Sequence, residues 1–163
     1  MKMKPKRLLI LVGAPGSGKS YWAKNYLNEN PYGAYVSRDE VRFTKLSPSD
    51  YYFANEDAVF DEFCNQIRVD LQSDIFDYVI ADATHLNQAG RNKLIRGIGA
   101  AAQKADRIAV VMETPLTTCL ERNAARTGRA RVPVSALTKM HNSFTDPEED
   151  DLISYSDIWH IGG

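Results

Sequence analysis

Gly13-Ala14-Pro15-Gly16-Ser17-Gly18-Lys19-Ser20 decides how the rest of this sequence is read. The octapeptide satisfies GxxxxGKS/T and lies between two segments of opposite character. Before it, Leu8-Leu9-Ile10-Leu11-Val12 is an unbroken apolar run, the pattern of a strand buried on both faces. After it, residues 18–29 carry Trp22, Ala23, Tyr26 and Leu27 at helical spacing, and Pro31 and Gly33 end the helix. Strand, glycine-rich turn and helix in that order separate a phosphate-binding loop from a chance match. The glycines let backbone N–H groups converge on phosphate oxygens, aided by the positive end of the helix dipole.

The chemistry follows from those residue types. Lys19 is expected on the β- and γ-phosphates of a nucleotide and the Ser20 hydroxyl on Mg²⁺. No NKxD tetrapeptide for reading guanine occurs, so ATP is the expected nucleotide, held by residues 13–20. The motif alone does not separate a phosphotransferase from a nucleotide-driven switch or motor.

Outward from the loop, strands alternate with helices. Ala34-Tyr35-Val36, Tyr78-Val79-Ile80-Ala81, residues 107–112 and residues 157–161 read as strands. Helical spacing covers residues 50–73, where Val59, Phe60, Phe63, Ile67 and Leu71 recur, then residues 88–104 and 115–126. Such alternation implies parallel β-α units with right-handed crossovers, and ligands bind beyond the carboxyl ends of the strands. The polar clusters at residues 13–20, 37–42 and 82–87 all fall at such ends.

Composition sets the bounds. A chain of 163 residues, 44% hydrophobic and 25% charged, suits one domain with a full core. A net charge of −1 and a pI near 6.3 exclude a global field drawing the protein to nucleic acid or anionic membrane, so a polyanion site must be local. Cys64 and Cys119 match no metal-ligand spacing and read as buried small hydrophobes in a reducing compartment. The basic start, residues 1–7, looks like a signal n-region, but the apolar stretch after it is too short for an h-region, and no run approaches a membrane span. A cytoplasmic location is expected.

Ser37-Arg38-Asp39-Glu40-Val41-Arg42 follows the second strand. Asp39 would face the phosphate loop, where a carboxylate can accept the proton of an attacking hydroxyl, and Arg42 is placed to hold an anionic acceptor. Asp39 also suits the N-cap of the next helix. In Asp82-Ala83-Thr84-His85-Leu86-Asn87, Asp82 is expected to hold Mg²⁺ through water or to orient Asp39 and the acceptor. Thr84 and Asn87 offer hydrogen bonds at the same rim, and Asn87 equally suits capping the helix from Gln88. His85 reads as a surface or packing residue. Arg122, Arg126, Arg129 and Arg131 form a basic helix and loop, and an arginine there on the γ-phosphate would stabilise transition-state charge. Spacing does not choose among Arg122, Arg126 and Arg129.

With these residues in place, the chain resembles the kinase module of the polynucleotide 5′-hydroxyl kinase family, within a wider group of small P-loop kinases. The matching elements are GAPGSGKS with Trp22 after it, SRDEVR, ADATHLN with Arg91 following, ERNAARTGRARVP, and a helix over residues 136–144. The resemblance spans roughly residues 7–144. It implies Asp39 as general base, Arg42 as clamp on the acceptor's phosphate, Arg126 as the lid arginine on the γ-phosphate, and Val132 packing against the terminal base. It supports the reaction type better than the substrate. The acidic segment at 146–151 is more similar to the stand-alone kinases, whose acceptors vary.

The expectation is thus an α/β three-layer P-loop fold over residues 1–163, with a five-stranded parallel sheet of order 2-3-1-4-5 and a helical lid over about 126–144. The expected activity is ATP-dependent phosphotransfer with Mg²⁺ to a nucleic-acid 5′-hydroxyl. Arg91, Lys93 and Arg96 would add backbone contacts, and Tyr51, Tyr52 and Phe53 either stack a base or join the core. A small-molecule acceptor and a nucleotide-dependent switch are the alternatives.

Overall fold

In the computed structural model, which describes residues 4–47, 50 and 54–162, the first apolar run becomes the central strand β1 (Arg7–Val12). Around it stand β2 (Gly33–Ser37), β3 (Tyr78–Asp82), β4 (Asp106–Glu113) and β5 (Asp157–Gly162), all parallel, in the order β2-β3-β1-β4-β5. This is the expected fold. Alternation along β1 sends Leu8, Ile10 and Val12 to one face of the sheet and Leu9 and Leu11 to the other. All five are fully buried, and burying such side chains contributes about 1.5–3 kcal/mol each.

The first face is covered by α3 (Glu56–Gln72), through Phe63, Cys64, Ile67 and Leu71, and by α4 (Gln88–Ile98), through Leu94, Ile95 and Ile98. The opposite face receives α1 (Lys19–Glu29), whose Trp22, Ala23, Tyr26 and Leu27 meet Tyr35, Tyr78, Trp159 and Ile161. Tyr26 stands edge-on to Tyr78 at 5.1 Å between ring centroids. A third cluster, Ala14, Leu86, Cys119 and Leu137, fixes α6 (Leu116–Ala124) and α7 (Val134–Asn142) beside the phosphate loop. Both cysteines are free and buried, as expected. Among the described residues no helix is long and apolar enough to cross a membrane.

Several boundaries differ from the periodicity reading, each for a local reason. The helical stretch expected from residue 50 begins at Glu56, and a separate short helix, α2 (Arg38–Lys45), precedes it. The helix expected over 88–104 breaks into α4 and α5 (Ala100–Lys104) at Gly99, whose φ of 83° places it in the left-handed region that favours glycine. α6 stops at Ala124, so Arg126 lies beyond it and does not share a helix face with Arg122.

Arg91 corrects a functional expectation. Its side chain is 0% exposed and pairs with Asp150 through Nε at 2.7 Å and Nη2 at 2.8 Å. It also donates to the carbonyls of His85 and Thr145, each at 2.9 Å. A guanidinium so enclosed makes no contact with a nucleic-acid backbone. It staples the loop after β3 to the acidic segment. Lys93, by contrast, is exposed and lies 4.5 Å over the Phe60 ring.

His85 is a packing residue. Its Nδ1–H donates to the Leu11 carbonyl at 2.8 Å, and its ring stacks on Phe63. Burial pushes its pKa down to about 4, against a smaller upward pull from the Leu11 carbonyl. A folded-state pKa below the unfolded value near 6.5 means stability is complete above 6.5 and is lost as pH falls toward 4. Unfolding free energy should therefore drop by about 2–3 kcal/mol more in the native chain than in His85→Asn over that window. Parallel urea-unfolding curves for the two proteins at every pH would contradict this.

Candidate active site

The phosphate loop leaves β1 at Gly13 and enters α1 at Lys19. Gly16 and Gly18 both take positive φ, 82° and 96°, and a Cβ on Gly16 would sit 2.8 Å from the Cys119 carbonyl oxygen. No side chain caps α1, so the first N–H groups of that helix are left to a ligand. The loop is held from outside. The Thr84 carbonyl accepts from Gly13 N–H at 2.9 Å, Thr114 Oγ1 donates to the Ser17 carbonyl at 2.7 Å, and Arg122 donates to the Gly16 carbonyl at 3.1 Å. A 620 Å³ cleft opens over it, lined by residues 16–20 together with Trp22, Asn25, Arg122, Arg126 and Ile161.

Four predicted charges converge here. Lys19 donates to the Ala14 carbonyl at 3.1 Å. Burial lowers the pKa of its ammonium below the ordinary lysine value; Asp82 and Asp39 pull it up and Arg126 pushes it down. Those three side chains therefore all lie within electrostatic reach of the lysine. Ser20 Oγ donates to Asp82 Oδ2 at 3.0 Å, and the same oxygen accepts from the Tyr35 hydroxyl. Asp82 is 5% exposed at the end of β3.

The side expected to meet the acceptor is an ion-pair quartet on α2 and the start of α3. Ser37, not Asp39, caps α2, accepting from Glu40 N–H at 3.2 Å. The Asp39 carboxylate pairs instead with Arg42 Nη1, three residues on. Arg42 is buried and gives Nε and Nη2 to Glu56 Oε1 at 2.9 and 2.7 Å. Arg38 reaches the other Glu56 oxygen at 2.8 Å while lying over the Phe60 ring. The predicted acceptor clamp is thus already held by two carboxylates.

Asn87 caps α4, accepting from Gly90 N–H at 2.9 Å, and does not reach across the cleft. Thr84 serves the loop through its carbonyl. Val132 is bracketed by the Asn123 amide, which donates to its carbonyl at 2.6 Å and accepts from its N–H at 2.9 Å. Its side chain is partly buried against the cluster of Ala14, Leu86, Cys119 and Leu137. Tyr51, Tyr52, Phe53 and the side chain of Arg129 lie outside the described residues.

Glu56, Tyr35 and Thr114 escaped the motif reading because each acts across a long sequence separation, and Asn123 because it bridges nine residues to Val132 across a helix end. Tyr35 alone left a usable signal. Period-two alternation puts it on the same sheet face as Ile80 and Asp82 of the neighbouring strand, since Tyr35 registers with Ile80.

A family model described as AAA domain matches residues 8–147. Among solved structures, a chain of the Pnkp1/Rnl/Hen1 RNA repair complex superposes with a TM-score of 0.69 at 24% identity over 87% of this chain. This protein spans only 45% of that one's length. A fungal RNA kinase gives 0.67 at 11% identity, covering 98% of this chain and 75% of that one. A gluconokinase from Sinorhizobium meliloti 1021 gives 0.61 at 17% identity, covering 99% of this chain and 84% of that one. At such identities the likeness establishes a shared P-loop kinase fold, which implies nucleotide binding.

Proposed function

Since the chain belongs to the AAA domain family over residues 8–147, we propose that it is an ATP-dependent kinase that phosphorylates the 5′-hydroxyl end of a nucleic acid. The observation that carries the reaction type is one cleft over the phosphate loop lined by Lys19, Ser20 and Arg126, with Asp82 held behind Ser20 at 3.0 Å and Asp39 within electrostatic reach of the lysine. A base, a carboxylate at the phosphate loop, a phosphate-binding lysine and a loop arginine are the parts in-line phosphoryl transfer requires. Asp39 takes the proton of the acceptor hydroxyl as its oxygen bonds to the γ-phosphorus. The bond from that phosphorus to the β–γ bridging oxygen breaks, and ADP leaves. Lys19 and Arg126 absorb the negative charge spreading over the transferred group. Residues 126–144 serve as a lid on a single unit spanning residues 1–163, with Val132 at its base, packed against the cluster of Ala14, Leu86, Cys119 and Leu137.

The donor set at Ser20 suits magnesium. A hydroxyl and a carboxylate are hard oxygen ligands, and among the described residues no group of three or more His, Cys, Asp or Glu side chains could form an all-protein cage. That fits a cation held mainly by phosphates and water with Ser20 as the protein ligand and Asp82 behind it. Bound with ATP, magnesium supplies neutralisation of the β- and γ-phosphate oxygens.

A nucleic-acid acceptor is supported by the Asp39–Arg42 pair at the position expected of a base and an acceptor clamp, and by similarity in fold to RNA-repair and RNA-kinase structures. A second reading, a small-molecule hydroxyl acceptor, is favoured by the engagement of Arg42 with Glu56, which leaves the clamp less charge for a phosphate. Transfer of labelled γ-phosphate from ATP to short 5′-hydroxyl oligonucleotides, beside a panel of sugars, sugar acids and nucleosides, separates the two. Labelled oligonucleotide, weakened by added salt, is the expected result. A labelled small molecule with no oligonucleotide labelled would replace it with the second reading.

A further inference from the structure

Tyr35 has no role in the reaction described so far, yet its hydroxyl ends at the buried Asp82 carboxylate behind Ser20. It projects from the middle of β2 onto the α1 face of the sheet, beside Ile80, and reaches diagonally to Asp82 at the end of β3. There it donates to Oδ2, the oxygen that also accepts from Ser20 Oγ at 3.0 Å. One carboxylate oxygen thus receives two hydroxyl protons in a site where Asp82 is 5% exposed. A phenol suits this task because it is rigid, long enough to cross between strands, and stays protonated. Burial, followed by the charge of Asp82 and the hydrogen bond to it, raises the Tyr35 pKa.

Two consequences follow from that geometry. A Ser20 hydroxyl that gives its proton to Asp82 turns its lone pairs away from the carboxylate, and Ser20 lines the nucleotide cleft. A carboxylate whose Oδ2 is occupied by two donors is also held in one rotamer, so it orients Ser20 rather than swinging in to ligate a cation itself. We propose that Tyr35 is a positioning residue for the metal–nucleotide site, locking Asp82 as an outer partner of Ser20 and so setting how strongly a divalent cation tightens ATP binding. Losing a group behind a metal ligand typically lowers metal affinity by about 10–100-fold. The inference rests on reading Ser20 as the magnesium ligand.

The test is equilibrium ATP binding, measured by titration calorimetry in EDTA and again in magnesium chloride, for the native chain and Tyr35→Phe. The native chain should bind ATP more tightly with magnesium. Tyr35→Phe should match it in EDTA and lose about 10-fold of the magnesium-dependent gain. Placed on an Asp82→Asn background, Tyr35→Phe should add no further loss, because the hydroxyl acts through that carboxylate. A magnesium gain undiminished in Tyr35→Phe, an equal loss of affinity in EDTA, or a full further loss on the Asp82→Asn background would each overturn the proposal. A native chain that shows no magnesium gain would instead overturn the reading of Ser20 on which it rests.

Discussion

Asp39→Asn is expected to cut phosphoryl transfer by about 10²–10⁴-fold while ATP affinity stays unchanged. Asparagine keeps the size and one hydrogen-bonding oxygen of aspartate but cannot take up the acceptor's proton. The site should tolerate the change. The Asp39 side chain is 59% exposed, and its partner Arg42 keeps two nitrogens on Glu56. Arg42 is buried but keeps the Glu56 carboxylate as its counter-charge, so losing the charge of the solvent-exposed partner preserves folding. Single-turnover transfer of labelled γ-phosphate, run beside calorimetric ATP binding, reads both quantities. Turnover that survives, or ATP binding that falls in step with it, would remove Asp39 from the role of base.

The largest loss of stability is expected at a residue far from the chemistry. Asp150→Ala should destabilise the protein by about 3–5 kcal/mol, because it strands the buried Arg91 cation without its carboxylate. For a chain of this size that corresponds to a fall in Tm of roughly 6–20 °C. Asp150 also accepts from the Tyr155 hydroxyl at 2.7 Å, so the substitution opens a second unpaired polar group. Replacing both Arg91 and Asp150 by apolar residues would remove the charges yet leave the His85 and Thr145 carbonyls without their donor, so it should recover only part of the loss. Calorimetric unfolding measures the effect directly. A shift equivalent to less than about 1 kcal/mol would show that water reaches the cation.

What could be read from the sequence divides along one physical line. The loop at residues 13–20 and the β1 strand before it were legible because their signals are local: glycines where backbone must curl, and an apolar run buried on two faces. Alternation implied parallel strands, their order came with the P-loop fold the chain resembles, and Asn87 as a cap followed from one residue and its neighbour. Arg91 was misjudged because a basic residue on a helix looks exposed until its acidic partner, 59 residues away, is brought beside it. Glu56 went unnoticed for the same reason: nothing within a few residues of it announces that it will engage Arg38 and Arg42. Gly99 was the opposite case, a visible breaker outweighed by strong helical periodicity on both sides. Long-range pairing of charges, not secondary structure, marked the limit of the sequence reading.

The quartet of Arg38, Asp39, Arg42 and Glu56 comes from one stretch of chain, residues 38–56, whereas the phosphate grip is assembled from β1, α1 and the segment around α6. Under the proposed function, donor and acceptor recognition would therefore be separable cassettes. The stretch runs from the end of β2 to the start of α3, so exchanging its exposed side chains is expected to leave ATP binding unchanged. A library confined to that interval, selected against a chosen alcohol, would retarget the transfer while inheriting the donor machinery whole.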